Sequence, residues 1–527
     1  MRRFLATALA VFALMPVPAA LADRVVTDYQ DPLQAIPAVS RPPTKSCTVT
    51  AMRYTFANSY GQPFVGTLTP PPECAGPWTK VVLDWTGRSR GRQFDRLAGL
   101  WIGGAEVLRT STPEPDPSGI VWHFDRDITA FAPLLTKPQP FVVDLGNVVN
   151  DTYTGPFDIE VTVTYYQATK KYPAPAQADV VLPLSADASK PGWQFLKDGK
   201  NFTKQLTVPP NTAKLTAEIY ARGGGCEEFW WSNVPSDLAA RFPDAGLCGG
   251  GTYREVEVRV DGRPAGVVAP YSVIYTGGVA PMLWRPISAV DAIDTLPYTI
   301  DLSPFIGTLT DGKAHTIDLV PPRGIVDDWT LGGNLFATTD PHVQRVTGTL
   351  TSADVPAADV KTTTTGTDLD VTIRTQVHRT WRTSGVIRTS HGPQQVFSQG
   401  SWTFDNTTSL AEKATKQKTA QKVTGAYSSR GRVDGFDFPL DVDVTQNIVN
   451  DNNYRIDAKV HMGRRLWTAG DGAKFSDDTI DTQGGFGRTN GVLSYADGSS
   501  SERWRGTVDG RFHQRTLKTE HGYVVAQ

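Results

Sequence analysis

A period of two constrains this chain more than any other feature. "KVVLDW" (80–85), "FDIEVTVTYY" (157–166), "KLTAEIYA" (214–221) and "YREVEVRVDG" (253–262) alternate apolar and polar residues, with β-branched and aromatic types prominent. Successive side chains of a strand point to opposite faces, so such alternation builds half-buried strands. Helical spacing is scarce, and "SLAEKATKQKTAQKV" (409–423) is the best candidate for an amphipathic helix. Gly and Pro number 48 and 38, a supply of turn residues that suits many short strands better than helical bundles. The expected class is all-β, organised as sandwiches or jelly rolls.

At 527 residues the chain is too long for one core. A Pro-rich link, "KKYPAPAQADVVLP" (170–183), closes a first unit spanning 23–175; a second covers 176–343; a Thr- and Asp-rich stretch opens a C-terminal β-rich domain, 344–527. Residues 1–22 read as a signal peptide: "MRR", then an apolar run, then Ala20-Leu21-Ala22 as the cleavage site. The mature protein is therefore expected to be secreted. No later segment is long and apolar enough to span a bilayer, so no membrane association is expected after cleavage. A net charge of -2 implies no nucleic-acid surface, and the chain is expected to act as a monomer. Export permits disulfides among Cys47, Cys74, Cys226 and Cys248. Four cysteines allow three pairings, of which the local ones, Cys47–Cys74 and Cys226–Cys248, are favoured.

Most catalytic motifs fail on context. Gly87-Arg88-Ser89-Arg90-Gly91 matches the serine-hydrolase elbow, but that elbow needs a helix after the serine. Here a Gly-Gly break at 103–104 indicates a hairpin. The eight histidines show no ligand spacing, so neither a zinc nor a copper site is indicated, and no metal is expected. "FDFPLDVDV" (436–444) has the acids of a calcium site, yet alternation with the carboxylates outward explains it as well.

Two carboxylate candidates stand out. Asp95 precedes a strand that is apolar on both faces, which puts the aspartate at a sheet rim where loops converge. Its arginine neighbours are expected to lower its pKa and keep it ionised. The second is "GGGCEEFWWSNVP" (223–235), where glycines permit a sharp turn and paired acids precede Trp230 and Trp231, either of which could stack on a sugar. Two acids brought together from separate units are what acid–base hydrolysis requires.

At these residues the chain resembles a known family. "GRQFDRLAGLWIGGAEVLRTSTPEP", "GIVWHFDRDIT", "NVVND", "YTGPF", "GCEEFWWSNVP", "VIYTGGVAPMLWRPI" and "IDLSPFIGTLTDGKAHTIDL" resemble, in order, the peptide-N-glycosidase A family of glycoamidases. The resemblance implies hydrolysis of the amide between Asn and the innermost N-acetylglucosamine of N-linked glycans. Asn would become Asp and the sugar would leave as a glycosylamine, with no metal or other cofactor required. The partners it implies are N-glycosylated peptides or glycoproteins. The more distantly similar peptide-N-glycosidase F family is built of two adjacent jelly rolls, so the resemblance implies two tandem jelly-roll β-sandwiches plus the C-terminal domain. Its "WDR" and "GCAEW" strings look like "FDR" and "GCEEF" here. They imply Asp95 and Glu228 as catalytic residues and Arg96 as a sugar-binding residue. A further glutamate of that family falls near Asn147, which has only an amide to offer. Trp284-Arg285 is matched to an active-site arginine. The competing readings are a non-catalytic glycan-binding sandwich, disfavoured because both acids are present, and a serine esterase acting through Ser89.

Overall fold

The structure is a computed structural model that describes residues 24–527 apart from 186, 188, 189 and 471. The expected signal peptide, 1–22, lies outside the described residues. Strands dominate, and the four alternating segments fall in the strands Trp78–Ser89, Phe157–Gln167, Thr212–Gly223 and Val256–Val260.

The first unit is a pair of four-stranded antiparallel sheets. One is ordered Ser46–Phe56, Phe157–Gln167, Trp78–Ser89, Ile120–Asp127, and the other Phe64–Leu68, Gln139–Leu145, Leu97–Ile102, Ala105–Ser111. Their inner faces share one core, in which Trp85, Leu100, Phe141 and Phe157 are almost wholly excluded from solvent. The second unit repeats the scheme with a five-stranded sheet centred on Thr212–Gly223 and Trp329–Thr339. A four-stranded sheet, Phe202–Leu206, His315–Val320, Val256–Val260 and Arg263–Val268, packs with it.

From Thr347 to Ala526 the chain folds into one antiparallel sheet of eleven strands, the longest of 20 residues. Its inner face, with Trp381, Phe404, Phe438 and Met462, shares a core with Val258, Tyr271 and Ile300 of the second unit. In "FDFPLDVDV", Phe436, Phe438, Leu440 and Val442 are buried while Asp437, Asp441 and Asp443 keep solvent contact, as simple alternation requires. The expected helix at 409–423 is not formed. Strands Gly392–Ala411 and Lys416–Ser429 meet there in a turn where Glu412, Lys413 and Ala414 all have positive φ. Neighbouring strands on both sides supply packing and hydrogen bonds that outweigh the helix propensity of Ala, Glu and Lys. Both disulfides are the local pairs, Cys47–Cys74 and Cys226–Cys248.

Polar contacts fix the long sheet to the loop that carries the paired acids. Asn406 Nδ2 donates to the Trp231 carbonyl at 2.8 Å, and Gln417 Nε2 to the Ser232 carbonyl at 3.2 Å. Asn406 is also the asparagine of an Asn-Thr-Thr sequon, but it is fully buried, whereas those at Asn150 and Asn201 are exposed. Removing one member of a buried hydrogen bond leaves the other unsolvated. Asn406→Ala is therefore expected to cost about 1–3 kcal/mol of stability, measured by denaturant unfolding, with the exposed Asn201→Ala as the control of small effect.

Candidate active site

The second unit contributes its acids through a tightly determined turn. Strand Thr212–Gly223 leads into a 3-10 turn at Gly225–Glu227. Gly225 has φ 55°, and a Cβ there would meet Asp327 Oδ2 at 2.0 Å, so glycine is required. Glu227 is wholly buried, and Arg254 donates to it twice, at 2.6 and 2.8 Å. Val326 N–H and Trp329 Nε1 also donate to Glu227, at 3.1 and 3.0 Å. A carboxylate satisfied by four donors is an anchor of the fold. Consecutive residues of a 3-10 turn diverge by roughly 120°, so the anchored Glu227 turns Glu228 away from it, toward Arg222 Nη2 at 3.8 Å.

The first unit contributes Asp95 from just before the strand Leu97–Ile102, which lies between two partners in its sheet. Arg96 N–H donates to Thr112 Oγ1 at 2.9 Å and Thr112 N–H to the Arg96 carbonyl at 2.8 Å, which extends the ladder to the aspartate. The two units meet at this point. Gly277, from the second, donates its N–H to Asp95 Oδ2 at 3.1 Å, and Thr276 Oγ1 donates to the Thr112 carbonyl at 2.5 Å. A Cβ on Gly277 would lie 2.6 Å from Glu114 Oε1 and 2.9 Å from Asp95 Oδ1, so this backbone is wedged between two carboxyls. Glu114 in turn pairs with Arg285 Nη2 at 2.9 Å. The seam thus gathers Asp95, Glu114 and Glu228 with Arg96, Arg222 and Arg285.

Enclosure shifts the Asp95 pKa in the direction opposite to that expected of an aspartate among arginines. Burial pushes the Asp95 pKa up, and the Gly277 N–H, Arg222 and Arg96 only partly offset it. The expected lowering by arginines is thereby corrected: desolvation exceeds their attraction. Glu228 is raised to about 7 by burial, with Arg222 opposing and the charge of Asp95 adding to the rise. Glu114 is likewise raised to about 7 by burial, opposed by Arg285 and reinforced by Asp95. Tyr275, whose ring lies 5.1 Å from the Arg222 guanidinium, is pushed up to about 12, chiefly by burial. Arg222 Nε is buried without a hydrogen-bond partner, an unused donor at the seam.

The other expected site residues are distributed unevenly. Arg96 Nε donates to Asn147 Oδ1 at 3.3 Å, Nη1 to Tyr60 Oη at 3.1 Å and Nη2 to Gln93 Oε1 at 2.7 Å. Asn147 is fully buried and its Nδ2 donates to the carbonyls of Phe56 and Gly155, so it braces Arg96 from within. Trp230 and Trp231 are only 4% and 3% exposed, within the second core. Stacking on a sugar needs a free ring face, which neither indole has. Trp284 is buried too, and its Nε1 donates to the Gly278 carbonyl at 2.7 Å, bracing the Gly277 loop. Exposed aromatic surface lies instead at Tyr60 (59%) and Phe94 (37%); Phe94 is 5.1 Å from the Tyr153 ring. The Ser89 hydroxyl donates to the Pro156 carbonyl at 2.7 Å and has no histidine partner, which removes the esterase reading. Glu114, Arg222, Tyr275 and Gly277 escaped sequence reasoning, although Glu114, Tyr275 and Gly277 lie in the strings "TPEP" and "VIYTGGVAP" that carried the resemblance. Among the described residues, no group of three or more His, Cys, Asp or Glu side chains is arranged to hold a metal ion.

Comparison with known proteins bears on this seam. The family model described as Peptide N-acetyl-beta-D-glucosaminyl asparaginase amidase A matches residues 32–356. Peptide-N4-(N-acetyl-beta-glucosaminyl)asparagine amidase A of Prunus dulcis is 33% identical over 399 residues, covering 72% of this chain and 70% of its own. Among solved structures, PNGase F of Flavobacterium meningosepticum is 14% identical with a TM-score of 0.37, covering 56% of this chain and 96% of its own. PNGF-II is 13% identical with a TM-score of 0.38, covering 62% and 65%.

A raised carboxyl pKa has a consequence for stability. Glu228 ionises at about 7 when folded and nearer its ordinary 4.5 when unfolded. Its favourable contribution is complete below 4.5 and is lost as pH rises through 7. Glu228→Gln cannot ionise, so its melting temperature is expected to exceed that of the wild type at about pH 8 and to match it near pH 4.5, as checked by thermal unfolding at both values.

Proposed function

Because the chain belongs to the peptide N-acetyl-beta-D-glucosaminyl asparaginase amidase A family, whose matched segment holds every charged residue of the seam, we propose that it is a secreted glycoamidase. It hydrolyses the amide between Asn and the innermost N-acetylglucosamine of N-linked glycans on peptides or glycoproteins. The observation that carries the reading is the meeting of Asp95 and Glu228 from separate sandwiches in one enclosed seam, with Arg222 beside both.

The chemistry follows from the placement of the two carboxyls and from the raised pKa of Glu228. Asp95, whose carboxylate is held by the Gly277 N–H, accepts a proton from water as the oxygen attacks the amide carbon. Glu228, with a pKa of about 7, stays largely protonated in mildly acidic solution and can donate to the carbonyl oxygen or to the departing nitrogen. The C–N bond breaks, the acyl carbon retains the water oxygen as Asp, and the sugar leaves as a glycosylamine. Arg222, whose Nη2 lies 3.8 Å from Glu228, supplies a charged donor for the oxygen that becomes negative. Arg96, steadied by Asn147 and Tyr60, is placed to grip sugar hydroxyls, and Tyr60 and Phe94 provide the open ring faces that Trp230 and Trp231 lack. Export fits the two disulfides, which form in oxidising compartments.

Incubation with an N-glycopeptide, followed by mass spectrometry for conversion of Asn to Asp, tests the proposal. Asp95→Asn and Glu228→Gln are each expected to lose on the order of 10²-fold or more in kcat/KM. Full activity in Asp95→Asn overturns the assignment. Glycopeptide binding by the wild type without any conversion overturns the enzyme reading in favour of a glycan-binding protein.

A further inference from the structure

The segment 24–41 contributes no strand to either sandwich and crosses all three units as a strap, with Tyr29 packed into the first core and Ala35 into the second. Val26 N–H donates to the Ala496 carbonyl at 2.8 Å and Gln30 N–H to the Gly522 carbonyl at 2.9 Å, both in the C-terminal sheet. Leu33 N–H donates to the Pro286 carbonyl of the second unit at 3.2 Å, and Val39 N–H to Asp125 Oδ1 of the first at 3.0 Å. Midway, Tyr29 is 6% exposed and reaches the seam. Its N–H donates to Asp116 Oδ2 at 2.9 Å, its hydroxyl donates to the Glu114 carbonyl, and its ring centroid lies 5.1 Å from the Arg285 guanidinium.

Arg285 depends on that ring. Its Nη2 holds Glu114 at 2.9 Å, its Nη1 faces only the Met282 sulfur at 3.7 Å, and its Nε is buried without a partner. Two contacts therefore set the guanidinium: the Glu114 carboxylate at one edge and the Tyr29 ring on a face. Glu114 then shares the Gly277 cradle with Asp95. We propose that Tyr29 is a positioning residue of the active site: its ring clamps Arg285 onto Glu114, and this pair holds the third carboxyl of the seam in register with Asp95.

The proposal rests on the reading of Asp95 as the group that activates water. It gives the strap a purpose beyond docking the C-terminal sheet, since the strap carries a side chain that packs at the edge of the first core and completes the seam. A guanidinium stacked on an aromatic ring in a desolvated site is a directional contact, so a leucine that merely fills the space does not replace it.

A double-mutant cycle in kcat/KM on an N-glycopeptide tests this, with melting curves recorded for every variant. Tyr29→Leu is expected to lower kcat about tenfold in the wild-type background and to have no further effect in the Arg285→Met background, because both changes break one clamp. Tyr29→Phe keeps the ring and is expected to stay within about threefold of the wild type. Arg285→Lys removes the planar group without touching the strap and is expected to reproduce the tenfold loss, which covers the case of an unfolded Tyr29→Leu. Equal losses from Tyr29→Leu in both backgrounds, or wild-type kcat in Arg285→Lys, overturn the proposal. With wild type active and Asp95→Asn inactive, such a result overturns this inference alone; a wild type that converts no Asn overturns the functional reading and this inference with it.

Discussion

The hydrogen bond from Gly277 to Asp95 marks where the two sandwiches close on each other at the site, because it can form only where a backbone without a side chain enters between two carboxyls. Each sandwich satisfies its own sheets, but the rims carry charged groups that neither unit can neutralise alone. Pressed together, they place Asp95, Glu114 and Glu228 among Arg96, Arg222 and Arg285 in a partly buried seam. Every raised pKa in the seam follows from that enclosure, with burial as its first cause. The gathering of these charges is a property of the junction between units.

Neighbouring residues of one turn divide the structural and chemical work. Glu227 is paired with Arg254 and two further donors out of reach of solvent, a geometry in which loss of either partner is costly. Glu228, one residue on, keeps a weak partner at 3.8 Å and an elevated pKa. The well-satisfied carboxylate holds the turn; the poorly satisfied one is available to a substrate. The long C-terminal sheet supports the same turn from behind, through Asn406 and Gln417 on the carbonyls of Trp231 and Ser232.

Strand content was legible because alternation in stretches such as 157–166 reports directly which face is buried. The segment 409–423 shows the limit of such reading. Its Ala, Glu and Lys favour a helix in isolation, but strands on both sides offered a ladder that a local pattern does not reveal. Trp230 and Trp231 looked like a sugar platform as neighbours in a glycine-rich loop, and only the packing of the second core showed both rings covered. Asp95 stood out from its strand and its family strings, yet the direction of its pKa shift was misjudged. Adjacent arginines are visible in a string of letters, whereas the second sandwich that closes over the aspartate is not.

The sequence by itself determined the all-β class, favoured the local disulfide pairs and singled out the acids at 95 and 228 as candidates, since each depends on residues near one another in the chain or on strings specific to one family. Only the tertiary structure decided that Glu114, Arg222 and Tyr29 join them. Those side chains come from distant segments, and their meeting depends on how two rims and a strap dock. Docking is set by shape and desolvation summed over whole surfaces, quantities that no short stretch of sequence carries.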